Sequence, residues 1–300
     1  MTPPEADKCH PFVSIGKTIN NNMQELKEKA KELLENKKAD VIFGYARGTG
    51  DNAATPVFIT KPEDVEQLIF DPFCCNNLAT FLYRDDHKRL GKPAMVAKDA
   101  DMRAVIVLVQ ESQVEADGVL LLSVSCDETG NAAAECRFNG VMTVAEAAKW
   151  LDEKYPEKDI ATGRMKQVAD IEALGDADRW EFWREELSRC IRCYACRQAC
   201  PLCYCKQCIV EKNQPQWVPT GIHPAGAFAW NIVRAFHLAG RCIDCGECER
   251  ACPMDIPLTA LNRKLAKVVR NAFEYTPGFD PDTKPVMANF KHDDRQEFFK

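Results

Sequence analysis

The sequence predicts an α/β unit followed by a mainly α-helical domain dense in cysteine, and three observations predict it. Short β-type apolar runs alternate with helical periods up to about residue 154. Eleven of the 16 cysteines lie between Cys190 and Cys252. The stretches flanking those cysteines repeat their apolar residues every three or four positions. A chain of 300 residues has room for about two domains with a core in each.

In chain order, Met23, Leu26, Ala30, Leu33 and Leu34 recur at helical spacing, so the Lys/Glu-rich stretch from about 22 to 36 reads as an amphipathic helix. β-Type runs follow at 41–43, 57–59, 94–97 and 119–124. The stretch 101–112 has strand propensity in Ala-Val-Ile-Val-Leu-Val, but it lies between two apolar strands where a crossover belongs, and we read it as a helix. Thr143-x-x-Glu146 is a capping box that starts a helix running through Trp150 and Leu151. These elements make an α/β domain over 1–154, and the polar stretch 155–177 reads as a connector.

Beyond it, Trp180, Trp183 and Leu187 share one face of a helix that delivers the chain to Cys190. Phe228, Ile232, Val233 and Phe236 mark a helix that Gly240 can stop. Pro257 suits a first helical turn, continued by Leu258, Leu261, Leu265 and Val268. The helical domain is placed at 178–274, and the Pro-, Asp- and Lys-rich stretch 275–300 reads as an extended C-terminal arm.

The cysteines form two runs of one pattern, Cys190-x-x-Cys193-x-x-Cys196-x-x-x-Cys200-Pro201 and Cys242-x-x-Cys245-x-x-Cys248-x-x-x-Cys252-Pro253. A C-x2-C-x2-C loop wraps three thiolates around a 4Fe-4S cube, and in two-cluster ferredoxins the Cys-Pro cysteine serves the other cube. The expected sets are Cys190, Cys193, Cys196 and Cys252 for one cluster, and Cys242, Cys245, Cys248 and Cys200 for the other. Structural zinc is the bland alternative, but it calls for paired cysteines and not for three at two-residue gaps followed by Cys-Pro. The first cysteines of the two runs stand 52 residues apart with helical pattern between them, which favours a helical ferredoxin-like domain over the compact strand-and-turn kind.

No motif cysteine is replaced, so no iron is left open for substrate, and one-electron relay is the expected chemistry. The charges flanking the first run sum to +2 and those flanking the second to −2. Potentials follow local charge, so the cluster of Cys190, Cys193 and Cys196 is expected to be the more easily reduced. Cys203, Cys205 and Cys208 are surplus to two clusters. They suggest a third metal site if a fourth donor comes from Cys9, Cys74, Cys75, Cys126 or Cys136; otherwise they are buried or redox-active thiols.

Other features exclude more than they suggest. Gly44-Tyr-Ala-Arg-Gly48-Thr-Gly50 lacks dinucleotide-fingerprint spacing and runs toward Pro56 where a helix would be needed. The five histidines are scattered, His237 reads as a packing or capping residue, and no catalytic triad or carboxylate pair is legible. Clustered cysteines in a chain of this size point to metal in a reducing compartment. No secretory leader is legible, and the longest apolar runs, 104–109 and 119–122, fall far short of a membrane span, so a cytoplasmic protein without membrane insertion is expected. Net charge is −6 with no basic stripe, which argues against nucleic acid as a partner.

Residues 185–208, including Cys190-Ile-Arg-Cys-Tyr-Ala-Cys-Arg-Gln-Ala-Cys-Pro-Leu-Cys-Tyr-Cys-Lys-Gln-Cys208, resemble bacterial iron–sulfur proteins of the formate dehydrogenase β-subunit-like kind. Those are relatives of the β-subunits of deazaflavin-reducing hydrogenases and formate dehydrogenases. Residues 234–257, with Cys242-Ile-Asp-Cys-Gly-Glu-Cys-Glu-Arg-Ala-Cys-Pro253, resemble the same family and more loosely the helical ferredoxin modules of heterodisulfide reductase and Rnf-type carriers. In the first half 41–45, 56–64, 77–79 and 98–104 are similar to it, although relatives carry Gly-Cys where this chain has Asp99-Ala100. Any role of that cysteine is absent or reassigned here.

The resemblance implies an electron-transfer subunit of an anaerobic multisubunit oxidoreductase, partnered by a formate dehydrogenase, hydrogenase or heterodisulfide reductase-like enzyme. The alternative it implies is a flavin-containing β-subunit that couples FAD in the α/β half to the clusters. A structural adaptor whose clusters only hold shape is a third class.

Overall fold

The computed structural model describes residues 21–50, 53–127, 135–158, 165–212, 214–290 and 292. It opens with helix α1 (Asn21–Glu35), whose Leu26, Ala30, Leu33 and Leu34 are buried. Strand β1 (Val41–Arg47) pairs antiparallel with β2 (Ala54–Ile59). Two 3-10 turns, at Pro62–Gln67 and Leu78–Phe81, and the single turn α2 (Asp85–Lys88) lead to β3 (Pro93–Ala97). Helix α3 (Asp99–Gln110) then crosses to β4 (Leu120–Asp127), and β5 (Glu135–Met142) and α4 (Val144–Lys154) follow. The sheet runs β2-β1-β3-β4-β5, with β1, β3 and β4 parallel and an antiparallel strand at each edge.

Helix α3 shows why its sequence reads two ways. Parallel β3 and β4 require a crossover, and the helix supplies it. It is buried on every side from Asp101 to Leu108, against the sheet and beneath the second half of the chain. A helix covered all round carries no polar stripe, so its Ala-Val-Ile-Val-Leu-Val has the composition of a buried strand. The capping box at Thr143 is complete: Glu146 N donates to Thr143 Oγ1 at 3.3 Å, and Thr143 N donates to Glu146 Oε2 at 2.8 Å. Strand β5 escapes the sequence reading because Phe138 is its one large inward residue.

The second half is helical: α5 (Lys166–Glu172), α6 (Asp176–Ser188), α7 (Ala195–Ala199), α8 (Pro224–His237), α9 (Glu247–Arg250) and α10 (Leu258–Phe273). Helix α5 falls inside the stretch read as a polar connector. Its Val168 and Ile171 are buried against Ala260 of α10, two apolar contacts too few to mark a helix by periodicity. The face assigned to α8 also needs correction. Ala227, Trp230, Asn231, Arg234 and Ala235 point inward, while Phe228, Ile232 and Val233 are half-buried and Phe236 is 57% exposed. Trp180, placed on the inner face of α6 by its spacing, is likewise 57% exposed and lies against Phe228, with ring centroids 5.1 Å apart.

One apolar core joins the halves, since Cys200, Leu202, Leu238, Ile243 and Phe279 belong to the same buried cluster as the sheet and α3. Residues 275–289 run back over α3, where Gln110 Nε2 donates to Asp280 O at 2.7 Å and Thr283 O at 3.0 Å. Arg103, buried on α3, donates to Ile243 O and to Pro277 O, both at 2.8 Å, and lies over the Phe279 ring. Among the described residues no helix is long and apolar enough to cross a membrane.

Gly278 sits at φ +83° where a Cβ would meet Arg103 Cβ and O at 2.7 Å. Gly278→Ala therefore combines left-handed strain with displacement of the α3 backbone, and is expected to cost on the order of 2 kcal/mol, read as a lower denaturation midpoint of the anaerobically purified protein.

Candidate metal centre

Each cysteine run begins where a helix ends. Cys190 N donates to Leu187 O at 3.2 Å just past α6, and Cys242 N donates to Leu238 O at 2.9 Å just past α8, after Gly240 at φ +70° has turned the chain. The two loops then take the same unusual backbone. Arg192 and Tyr194 are left-handed at φ 56° and 60°, and Asp244 and Gly246, their counterparts in the second run, at 57° and 77°. Left-handed residues at alternate positions suit the nest, in which successive N–H groups turn toward one anion or iron–sulfur cluster. Three of the four are not glycine, and each costs about 1–2 kcal/mol that a local sequence preference would not supply.

Cys190, Cys193, Cys196 and Cys252 line a single small cavity together with Trp230 and Ile256. Three come from the first loop and the fourth from the end of the second. The thiols of Cys242, Cys245 and Cys248 each feel that of Cys200, so the second loop faces the end of the first. Helices α7 and α9, which carry Cys196 and Cys248, pack against one another. The burial is uneven: Cys196, Cys200 and Cys248 are buried, whereas Cys193 is exposed beside Ile191, itself 42% exposed.

Such a site is hostile to free thiolate. Burial pushes the thiols of Cys196, Cys242 and Cys248 up to about 12 and holds Cys245 well above its ordinary range. For Cys200 a hydrogen bond with Cys203 comes first and burial second, both in the same direction. A donor set made only of sulfur, too costly to ionise without a cation, fits an iron cluster, which binds thiolates and supplies the missing positive charge. Among the described residues no three His, Cys, Asp or Glu side chains are gathered at the spacing of a single metal ion.

Four further side chains address the sulfurs. Asn262 Nδ2 on α10 donates to Cys248 Sγ at 3.7 Å. Arg192 donates to Pro219 O and Gly226 O, both at 3.0 Å, and lies over the rings of Tyr194 and Trp230, which fixes the first loop against α8. Arg103 holds the second loop through Ile243 O. Burial lowers its guanidinium to about 10, opposed by Cys242 and Asp244, and it stays positive at neutral pH. Arg234 on α8 donates to Cys196 O at 2.9 Å. Burial alone would lower it, but the surrounding thiols of Cys203, Cys200, Cys248 and Cys196 reverse the direction and hold it charged.

These contacts correct the charge count made along the chain. Asp244 pairs with Arg263 at 2.8 Å, Glu247 with Arg250 at 2.6 Å, and Arg241 with Glu111 at 2.5 Å. The second loop also gains Arg103 from the α/β half, so its surroundings are not the acidic patch its own segment suggests. The order of potentials expected from sequence rests on a segment count that leaves out Arg263, Glu111 and Arg103. Arg234 and Arg103 escaped the sequence reading because each is a lone cation in an apolar run. That placement was itself the available signal, since a buried arginine needs a partner.

The surplus cysteines separate. Cys203 turns inward to Cys200 and Arg234, Cys205 is exposed and Cys208 is half-buried. Of the possible fourth donors, Cys126 and Cys136 are joined by a disulfide across β4 and β5, Cys75 is disulfide-bonded, and Cys74 lies beside Asp71 with its thiol pushed up to about 12 by burial. Cys9 lies outside the described residues. The Gly44–Gly50 run ends β1 and turns into the antiparallel β2, with Gly48 N donating to Ala53 O at 2.8 Å, which is a strand connection and not a phosphate loop. His237 is exposed at the end of α8.

Residues 189–257 match the model of the 4Fe-4S dicluster domain. The chain is also similar to the F420-dependent formate dehydrogenase subunit beta of Methanocaldococcus jannaschii, 39% identical over 107 residues, which are 36% of this chain and 28% of that protein. It is 32% identical over 140 residues to the F420-dependent formate dehydrogenase 1 subunit beta of Methanococcus maripaludis, 47% of this chain and 30% of that one. The matches thus span less than a third of the length of these relatives.

If Cys252 completes the first loop's cluster, Cys252→Ser and Cys193→Ser are expected to disturb the same EPR signal of the reduced protein, and Cys245→Ser the other. A Cys252→Ser variant that instead disturbs the signal altered by Cys245→Ser would reassign the crossing.

Proposed function

We propose that this chain is an electron-transfer iron–sulfur subunit of an anaerobic oxidoreductase complex, relaying single electrons between two 4Fe-4S clusters. One is held by Cys190, Cys193, Cys196 and Cys252, the other by Cys242, Cys245, Cys248 and Cys200. The observation that carries the reading is the pair of nest-forming loops whose end cysteines each face the opposite loop. The names of the two relatives support a partner of the formate dehydrogenase kind.

The clusters supply one-electron chemistry, and the chain's own residues supply insulation and direction. Exposed Cys193 and Ile191 bring the first site to the surface, where an external redox protein can approach. The second site lies against the α/β half, with Cys242 and Cys245 packed on the main core and Arg103 reaching into its loop. Electrons therefore pass between a partner at the first site and whatever docks on the α/β side. Nest N–H groups and Asn262 favour the more negative, reduced form at each end.

One observation favours the flavin-containing alternative. The carboxyl ends of the parallel strands β1 and β3 lie beside a cluster of polar side chains, at the end of the sheet where open α/β folds take ligands. Lys98 Nζ there donates to Asn76 O at 2.9 Å and lies over the Tyr45 ring, 4.8 Å from its centroid. Buried Asp101 and Glu247 face one another across it, and Arg250 donates to Cys245 O at 2.7 Å, beside the second site.

Anaerobic purification should yield brown protein with about eight irons per chain and a dithionite-dependent EPR signal. Colourless, zinc-loaded material would overturn the relay. Peaks near 450 nm that bleach on reduction, with flavin released on denaturation, would favour the alternative.

A further inference from the structure

We propose that Arg234 is an electrostatic bridge shared by the two cluster sites, a fixed positive charge that raises both reduction potentials together. The inference rests on the two-cluster reading above. Arg234 projects from the buried face of α8, a helix that lies between the two cysteine runs in the chain. Its Nη2 donates at 2.9 Å to the carbonyl of Cys196, a residue of the first set. The same guanidinium faces Cys200 and Cys248 of the second set and the extra thiol of Cys203. Its Nε has no hydrogen-bond partner among the described residues.

Among the described residues no carboxylate pairs with it. Of the other arginines near the second loop, Arg250, Arg263 and Arg241 each have an acidic partner, in Glu247, Asp244 and Glu111, while Arg103 donates, as Arg234 does, to backbone carbonyls but faces thiols of the second set alone. The charge of Arg234 is answered first by the Cys203 thiol and then by cluster ligands of both sets, Cys200 and Cys248 of one and Cys196 of the other. Reduction adds one electron, and so one negative charge, to a cluster already surrounded by four thiolates. A buried cation beside both sites stabilises each reduced state, and water does not screen it.

The test is an anaerobic EPR redox titration of the full chain carrying Arg234→Gln or Arg234→Lys, with iron counted in each sample. Wild type must first show two reducible clusters; if it does not, the relay reading fails and the bridge is not reached. Given that, Arg234→Gln is expected to make both clusters at least tenfold harder to reduce at a given potential, about 59 mV for one electron, while Arg234→Lys leaves both midpoints in place.

A shift of one midpoint alone, or of neither, overturns the bridge. So does a lysine variant that shifts as far as the glutamine one, because packing and not charge would then be at work. If the glutamine variant retains no iron, the lysine variant decides: normal iron with unmoved midpoints supports the shared charge, and loss of iron there overturns it.

Discussion

Thiolate charge in a dry interior is the constraint around which the second half of this chain is arranged. Sulfurs buried deeply enough to be insulated cannot ionise unless positive charge and N–H dipoles are brought to them. The chain brings both. Two loops adopt left-handed backbone at matching positions, and arginines from α3 and α8 reach the loop carbonyls from behind. The buried face of α8 follows from this demand: it turns Trp230, Asn231 and Arg234 inward and leaves Phe236 to solvent. Apolar periodicity alone would have chosen the opposite arrangement.

That reversal marks the limit of what could be read from the sequence. Elements whose inward face is largely apolar were legible: α1 from its Leu and Ala spacing, α4 from its capping box, β1, β3 and β4 from their short apolar runs. Elements packed through polar groups or very few contacts were not, as α5, β5 and the inner face of α8 show. The eight motif cysteines were legible because ligand spacing is a covalent constraint on a short loop. Arg103, Arg234 and Asn262 were hidden because their roles depend on distance across the fold. The summed charge of a segment is incomplete for the same reason: a cation acting on a given sulfur can come from more than a hundred residues away, as Arg103 does.

The two halves also depend on one another more than their compositions suggest. Helix α3 is at once the crossover of the sheet and the floor beneath the second loop. Its burial on all sides gives the α/β half a direct mechanical grip on the metal-binding half. A docking event on the sheet side thus has a rigid path to Ile243, one residue from Cys242.

The two carbonyls gripped by Arg103 also set an order of assembly. One acceptor, on Ile243, lies 140 residues along the chain from the donor, and the other, on Pro277, lies 174 residues along. During synthesis the guanidinium remains unanswered until the ribosome has released both segments, and contacts this remote in sequence form slowly. The second loop is therefore made before the segment that closes over the same guanidinium.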